Sequence, residues 1–184
     1  FPNYSFTKNI KSTNIKKGSL NFNSTGFQKK YNTNVYEANI INDLIYNSNS
    51  FIMTGLLNKY EVLLKNVNTN ADNSSNYKNE TQNKLLSKIM FESKYPMVKY
   101  GEIYEKNLTP IISARYSPTE TKNLSNLDRR VSYNNIFSLN RLGENDTVEG
   151  GKSITLGVEY SENKKNTNEY LSIGLASVLR DVKN

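Results

Sequence analysis

Hydrophobic and polar residues alternate strictly over residues 153–160. Ile154, Leu156, Val158 and Tyr160 share one face, and Ser153, Thr155, Gly157 and Glu159 share the other. Successive side chains of a strand point to opposite sides, so this period predicts a strand with one apolar and one polar face. After the polar stretch 161–168 the pattern returns, with Leu171, Ile173 and Leu175 opposite Ser172, Gly174 and Ala176. Two such runs joined by an Asn- and Lys-rich turn predict a β-hairpin. Upstream, Leu20 and Phe22 oppose Ser19, Asn21 and Asn23, while Tyr36, Ala38, Ile40, Leu44 and Tyr46 oppose Glu37, Asn39 and Asp43. Leu108, Pro110, Ile112, Ala114 and Tyr116 oppose Thr109, Ser113 and Arg115, with Ile111 interrupting the polar set. A longer apolar stretch over 51–68 and the run Ile89, Phe91, Tyr95, Met97 bring the expectation to about eight or nine strands. Long polar connections are expected at 69–82 and 118–130. Over 83–92, Leu85, Leu86, Ile89 and Met90 also fit helical spacing, which Tyr95-Pro96 would end. The neighbouring elements favour a strand there.

Composition narrows the chemistry. The chain has 184 residues, enough for one domain or a piece of one, and Phe1-Pro2-Asn3 reads as a cut inside a longer protein. It contains no Cys, His or Trp, which excludes a disulfide scaffold, thiolate or imidazole metal ligation, and Cys- or His-based catalysis. No run of 18 apolar residues exists, so helical membrane spans are excluded, and no cleavable signal peptide is visible. The net charge of +7 raises nucleic acid as a partner, because cationic side chains neutralise phosphates. The Lys residues, however, are dispersed from Lys8 to Lys183 among Asn and Ser, without the concentrated basic face that nucleic-acid binding needs. The carboxylate pairs Glu144/Asp146 and Glu159/Glu162 have no partnered nucleophile or base, and neither a Gly-x-Ser-x-Gly elbow nor a phosphate-cradling glycine loop is present. The expectation is no enzyme, no cofactor and no metal, the spacing of an EF-hand being absent as well.

Two architectures suit amphipathic strands. A soluble β-sandwich packs its apolar face on a second sheet, whereas a transmembrane β-barrel turns that face to lipid and its polar face to a watery lumen. Tyr and Phe recur at strand ends, as at Tyr46, Phe51, Tyr60, Tyr116, Tyr160 and Tyr170, where a barrel places aromatic girdles. Tyr also favours strands in general, so alternation alone leaves both architectures open.

The stretch from Lys106 onward separates them. It reads Leu108-Thr109-Pro110, Tyr116-Ser117-Pro118, Leu127-Asp128, then Asn135-Ile136-Phe137-Ser138 and Asn140-Arg141-Leu142-Gly143. Asp146-Thr147-Val148-Glu149-Gly150-Gly151 and Ile154-Thr155-Leu156-Gly157-Val158-Glu159-Tyr160 complete the series. In order and spacing this resembles the C-terminal barrel domain of the LptD family of outer-membrane LPS-assembly proteins. Tyr95-Pro96-Met97-Val98-Lys99 and 171–180 resemble the strands on either side, so the resemblance covers 93–180 and is diffuse before it. The chain departs from the family at Thr147 (usually Arg), Gly150 (often Asp), Leu142 (usually Phe), and in lacking a Ser before Gly143.

The resemblance implies an all-β fold of antiparallel up-and-down strands, with residues 1–184 forming part of a large transmembrane barrel of about 26 strands. It implies a section of a translocon in the outer membrane of a Gram-negative bacterium, inserting lipopolysaccharide into the outer leaflet without covalent chemistry. The implied partners are lipopolysaccharide, an LptE-like lipoprotein plug, and a periplasmic LPS-bridge protein reached through a domain outside this chain. Another outer-membrane barrel or adhesin β-domain, and a soluble sandwich, are the alternatives. Arg141, Gly143, Asp146, Glu149, Gly150, Gly151 and Gly157 form the motif loop and the strand after it. They are expected to be structural: the glycines for positive φ or close approach, Asp146 and Glu149 as partners for Arg141 or Lys152. Arg115, on a polar face, is the candidate for meeting lipopolysaccharide phosphates, because a guanidinium can grip a phosphate through two hydrogen bonds. Its rival role is to stabilise the barrel wall.

Overall fold

The computed structural model describes residues 2–11, 18–52, 55–121 and 131–181. Among them the fold is a single antiparallel sheet of nine strands. These are β1 (Asn3–Ile10), β2 (Ser19–Lys30), β3 (Tyr36–Ile52), β4 (Leu56–Asp72), β5 (Gln82–Lys94), β6 (Met97–Tyr100), β7 (Tyr104–Ser117), β8 (Gly151–Lys164) and β9 (Tyr170–Arg180). The strands pair in up-and-down order β1-β2-β3-β4-β5-β7-β8-β9, β6 pairing β7 beside β5, and the sheet is open, ending at β1 and β9. The segment 83–92 lies in β5, a strand. The stretch 51–68 is divided between two strands, β3 ending at Ile52 and β4 beginning at Leu56. The connection expected at 69–82 begins later, because β4 continues to Asp72.

β5 and β6 are one run interrupted by proline. Lys94 faces Ile111 and Met97 faces Leu108, so the register on β7 is unbroken across Tyr95-Pro96. Pro96 has no N–H to give to the ladder and Pro110 none to return, which confines pairing at this point to Tyr95 N–H donating to the Pro110 carbonyl at 3.2 Å. Asn34, Asn73 and Asn166, each in a connection, have φ of 60°, 53° and 60°. Asn tolerates this left-handed conformation better than other residues with a β-carbon, which gives part of the Asn excess a local purpose.

The alternation seen in the sequence becomes a two-sided sheet. On β7, Leu108, Ile112 and Tyr116 are exposed on one face, while Ile111, Ser113, Arg115 and Ser117 are buried on the other. Register carries Ile112 to Leu156 and Ala114 to Ile154, and thence to Leu179, so the apolar face is continuous across β7, β8 and β9. On β1 to β5 the same outer face carries a polar ladder. Tyr4 and Ser24 share a hydrogen bond, Ser24 donates to Asn42 at 2.7 Å, Asn42 to Asn66 at 3.4 Å, and Asn66 to Asn83 at 3.1 Å. Such cross-strand pairs bind neighbouring strands together.

Three connections lie at one end of the sheet: 31–35, 73–81 and the long 118–150 segment. At the opposite end are the β3–β4 junction and the hairpins at 101–103 and 165–169. The described residues 131–150 of the long segment return over the inner face. It is this segment that buries a sheet face that would otherwise be as open as the outer one.

Candidate functional site

The described part of the long connection, 131–150, contains no strand and crosses the inner face from β9 towards β4 as a strap. Two glycines make its seats. A β-carbon at Gly157 of β8 would lie 2.5 Å from the tip of the Phe137 ring, and one at Gly174 of β9 would overlap the Tyr133 ring. The two rings stand edge to face, with centroids 6.0 Å apart, an arrangement in which the positive ring edge meets the negative ring face. Both glycines therefore face inward to admit an aromatic ring.

Arg115 of β7 fastens the middle of the strap. Its Nε donates to the Ser138 carbonyl at 3.1 Å, Nη2 to the Ile136 carbonyl at 3.0 Å, and Nη1 to Thr155 Oγ1 at 3.0 Å. Thr155, fully buried, also accepts a bond from Arg141 Nη1 at 3.4 Å, so one β8 hydroxyl serves two guanidinium groups. Ile111 and Met90 on the sheet, and Ile136 and Val148 on the strap, are all buried. Ile111, which interrupts the polar set in the sequence, thus belongs to a small apolar core on the covered face.

The charged centre of the strap is Glu149, 5% exposed. Arg141 Nε donates to its Oε2 at 2.8 Å and Nη2 to its Oε1, a two-pronged pair. Lys88 Nζ of β5 stands 3.5 Å from Oε2, and Arg180 Nε of β9 stands 3.3 Å from Oε1. Arg141 Nη2 also donates to Ser153 Oγ at 3.0 Å. Burial opposes ionisation of Glu149, but the Arg141 hydrogen bonds and the charges of Lys88, Arg141 and Arg180 outweigh it. They hold the carboxyl below the ordinary glutamate range. Farther along, buried Lys65 of β4 grips Asp43 of β3 at 2.7 and 2.8 Å and donates to the Asn145 carbonyl at 2.8 Å.

Most of the residues singled out by sequence are gathered here, though not all as expected. Arg141 pairs with Glu149, while Gly143 and Gly151 adopt φ of 70° and 78°. Gly150 does not take positive φ; a β-carbon there would run into the Thr119 carbonyl. Asp146 lies on the wall of a cavity between the 73–81 connection and the strap. Leu127 and Asp128 lie outside the described residues. Sequence reasoning missed Lys88, Lys65, Asp43, Thr155, Ser153, Arg180, Tyr133 and Phe137. For Tyr133 and Phe137 a signal existed: inward glycines at 157 and 174, and two aromatics four residues apart in a segment without alternation.

The shorter 73–81 connection also folds inward. Ser74 Oγ and Asn76 Nδ2 donate to Glu37 Oε1 of β3 at 2.6 and 3.0 Å, and Asn39 Nδ2 donates to the Tyr77 hydroxyl at 3.2 Å. The polar face of this sheet is thus lined by two in-folded connections held by buried charges.

An open antiparallel sheet whose outer face is bare, and apolar across β7 to β9, and whose inner face is polar and covered, is what a section of barrel wall looks like. The family model described as "LptD: LPS transport system D" matches residues 12–180. The chain belongs to the LptD family. The match begins well before residue 93, at residue 12, and takes in β2 to β9, so the diffuse N-terminal part is family sequence too. LptD-family proteins are β-barrels of the outer membrane that act in LPS transport and outer-membrane assembly, and the family is not known for enzymatic activity. No curated protein matches the chain.

Proposed function

We propose that residues 1–184 form one section of the wall of an LptD translocon that places lipopolysaccharide in the outer leaflet of a Gram-negative outer membrane. It would act with an LptE-like lipoprotein plug and a periplasmic LPS-bridge protein. The observation that carries this is the split between faces. Leu108, Ile112, Tyr116, Ile154, Leu156, Ile173, Leu175 and Leu179 all stand exposed on one side, where water would penalise them and lipid would not. The inner side offers saccharides and phosphates a polar surface. The work is conduction rather than covalent chemistry. Long loops mark the outward end of such barrels, so the strap-bearing end is the cell-surface end. The strap narrows the inner face, and Arg141, Gly143, Asp146, Glu149, Gly150, Gly151 and Gly157 shape it. Arg115 serves as a strap clamp, because each of its three hydrogen bonds goes to the chain itself and not into the lumen.

The test places a charge on each face of the intact protein. Leu156→Arg on the outer face should impair assembly by about 2–4 kcal/mol near the membrane centre. Asn107→Arg, half-buried on the inner face beyond the strap contacts, should assemble normally. Heat-modifiable migration of both variants extracted from membranes reads the outcome. Equal behaviour, or the reverse order, would remove the lipid-facing assignment.

A further inference from the structure

On the outer face, where β5, β7, β8 and β9 run side by side near the loop-bearing end, lies a groove of about 550 Å³. A volume of this order holds one small ligand. Its floor is Ala114, the smallest side chain in the outward row Phe91–Ala114–Ile154–Leu179 that register draws across the four strands. Ile89 and Tyr116 stand in the next row, and the Tyr60 ring, its centroid 5.1 Å from that of Phe91, backs the β5 side. Ile89, Tyr116, Ile154 and Leu179 are exposed, since the strap lies on the other face.

The groove is charged at one end. Where β8 begins and β9 finishes stand Lys152, in the row of Tyr116, and Asp181, whose N–H donates to the Lys152 carbonyl at 3.1 Å. Glu149 was one expected partner of Lys152, but Lys152 stands exposed on the outer face and forms no ion pair with any described residue. Arg180 lines the groove as well, yet its guanidinium is directed to Glu149 on the inner side. Lys152 is thus the uncommitted cation at the mouth. Asp181 repels an anion on its own side, which places one towards Tyr116, whose hydroxyl can donate to it.

This polarity runs one way. The charged end lies level with the strand ends, and the apolar floor leads from it towards the middle of the sheet, continuing to Ile112 and Leu156. A lipid of the outward leaflet has the same order, headgroup outward and chain inward. A hydrocarbon chain takes the groove walls out of contact with water, and a lysine stem lies on apolar surface while its ammonium reaches headgroup level.

We propose that this groove is a lipid site on the outside of the barrel wall. One acyl chain of a phosphate-bearing lipid of the surrounding leaflet lies over Ala114, and its phosphate meets Lys152. The inference rests on the lipid-facing reading of this face and adds to it a place where one lipid is retained.

Native mass spectrometry of the intact protein released from detergent reads the site. The probes are dioleoyl phosphatidic acid and dioleoylglycerol, which lacks the phosphate. The wild type should retain one phosphatidic acid about fivefold better than dioleoylglycerol, the scale of one lysine at an anionic headgroup. Lys152→Ala should bring the two lipids level, and Ala114→Leu, which fills the floor, should lower both. Lys106→Ala, at an exposed outer-face lysine towards the opposite end of β7, should change neither. Lys152 and Ala114 are exposed, so their substitution does not threaten folding. Equal retention of the two lipids, or a preference that Lys152→Ala or Ala114→Leu leaves intact, overturns the site and leaves the face lipid-facing. Retention of neither lipid, whether the protein is a monomer or covers the groove with a second copy, overturns the site too. The lipid-facing reading falls with it only if Leu156→Arg also assembles like the wild type.

Discussion

Replacing Glu149 with Gln keeps the shape of the side chain and removes its charge, leaving Arg141 and Lys88 buried without their counter-ion. Both partners of the Arg141–Glu149 pair are at most 5% exposed, and breaking a pair buried to this degree costs about 3–5 kcal/mol. Lys88, at 3.5 Å and equally buried, places the loss towards the upper end. Arg180 adds little, because at 34% exposure its interaction with Glu149 is screened by solvent. A domain is typically stable by about 5–15 kcal/mol, so a loss of this size confined to one segment frees the strap before it dissolves the sheet. The expected outcome for Glu149→Gln in the intact protein is therefore split. The 131–150 segment becomes sensitive to protease added to solubilised protein, while heat-modifiable migration of the barrel is retained. A double-mutant cycle with Arg141→Gln should give a coupling of about 1–3 kcal/mol. Unchanged protection of the strap, or a coupling indistinguishable from zero, would refute the buried-charge account.

Three other outcomes are expected. Gly157→Val fills the seat of Phe137, and overpacking of this kind costs about 1–3 kcal/mol; Phe137→Ala in the same chain should recover part of it, as measured by strap protection. Arg115→Lys keeps the charge but cannot reach Ser138, Ile136 and Thr155 together, so protease should enter the strap although the lumen's net charge is unchanged. Acid should loosen the strap as well. Because Glu149 titrates lower in the fold than in the unfolded chain, near 4.3 there, its contribution is complete above that value and is lost as pH falls through the folded one. Proteolysis with an acid-active protease across that range should show protection falling in the wild type, and a flatter profile in Glu149→Gln.

The strands were legible where one face is uniformly apolar. β7 and β8 keep one face apolar throughout, from Leu108 to Tyr116 and from Ile154 to Tyr160, with Ile111 alone breaking the opposite face. The β3–β4 boundary was not, because only Met53-Thr54-Gly55 separate Ile52 from Leu56 in the sequence, without a run of polar residues. The Arg141–Glu149 pair was within reach of sequence, its members being eight residues apart in one connection. Lys88 and Lys65 were not. Each is a lysine in a polar-looking strand position, and only the return of the strap over the inner face distinguishes it from a solvated one. Secondary structure follows from local periodicity, whereas this burial depends on contacts between residues up to 80 apart, as for Lys65 and Asn145.

Those distances give the strap a place in time. Tyr133 has no seat until β9 supplies Gly174, and Glu149 lacks one of its cations until Arg180 arrives on the same strand. Asn145, meanwhile, needs β4 already in position. Contacts that close such long chain loops form late, because the entropy of closure precedes their reward. Interactions absent from the folding barrier act on the rate of unfolding and scarcely on that of folding. The strap is thus a latch set after the wall is built. It lengthens the lifetime of the assembled sheet without hastening its assembly, and a section missing β9 would lose the seat of Tyr133 and leave the strap loose at its first end.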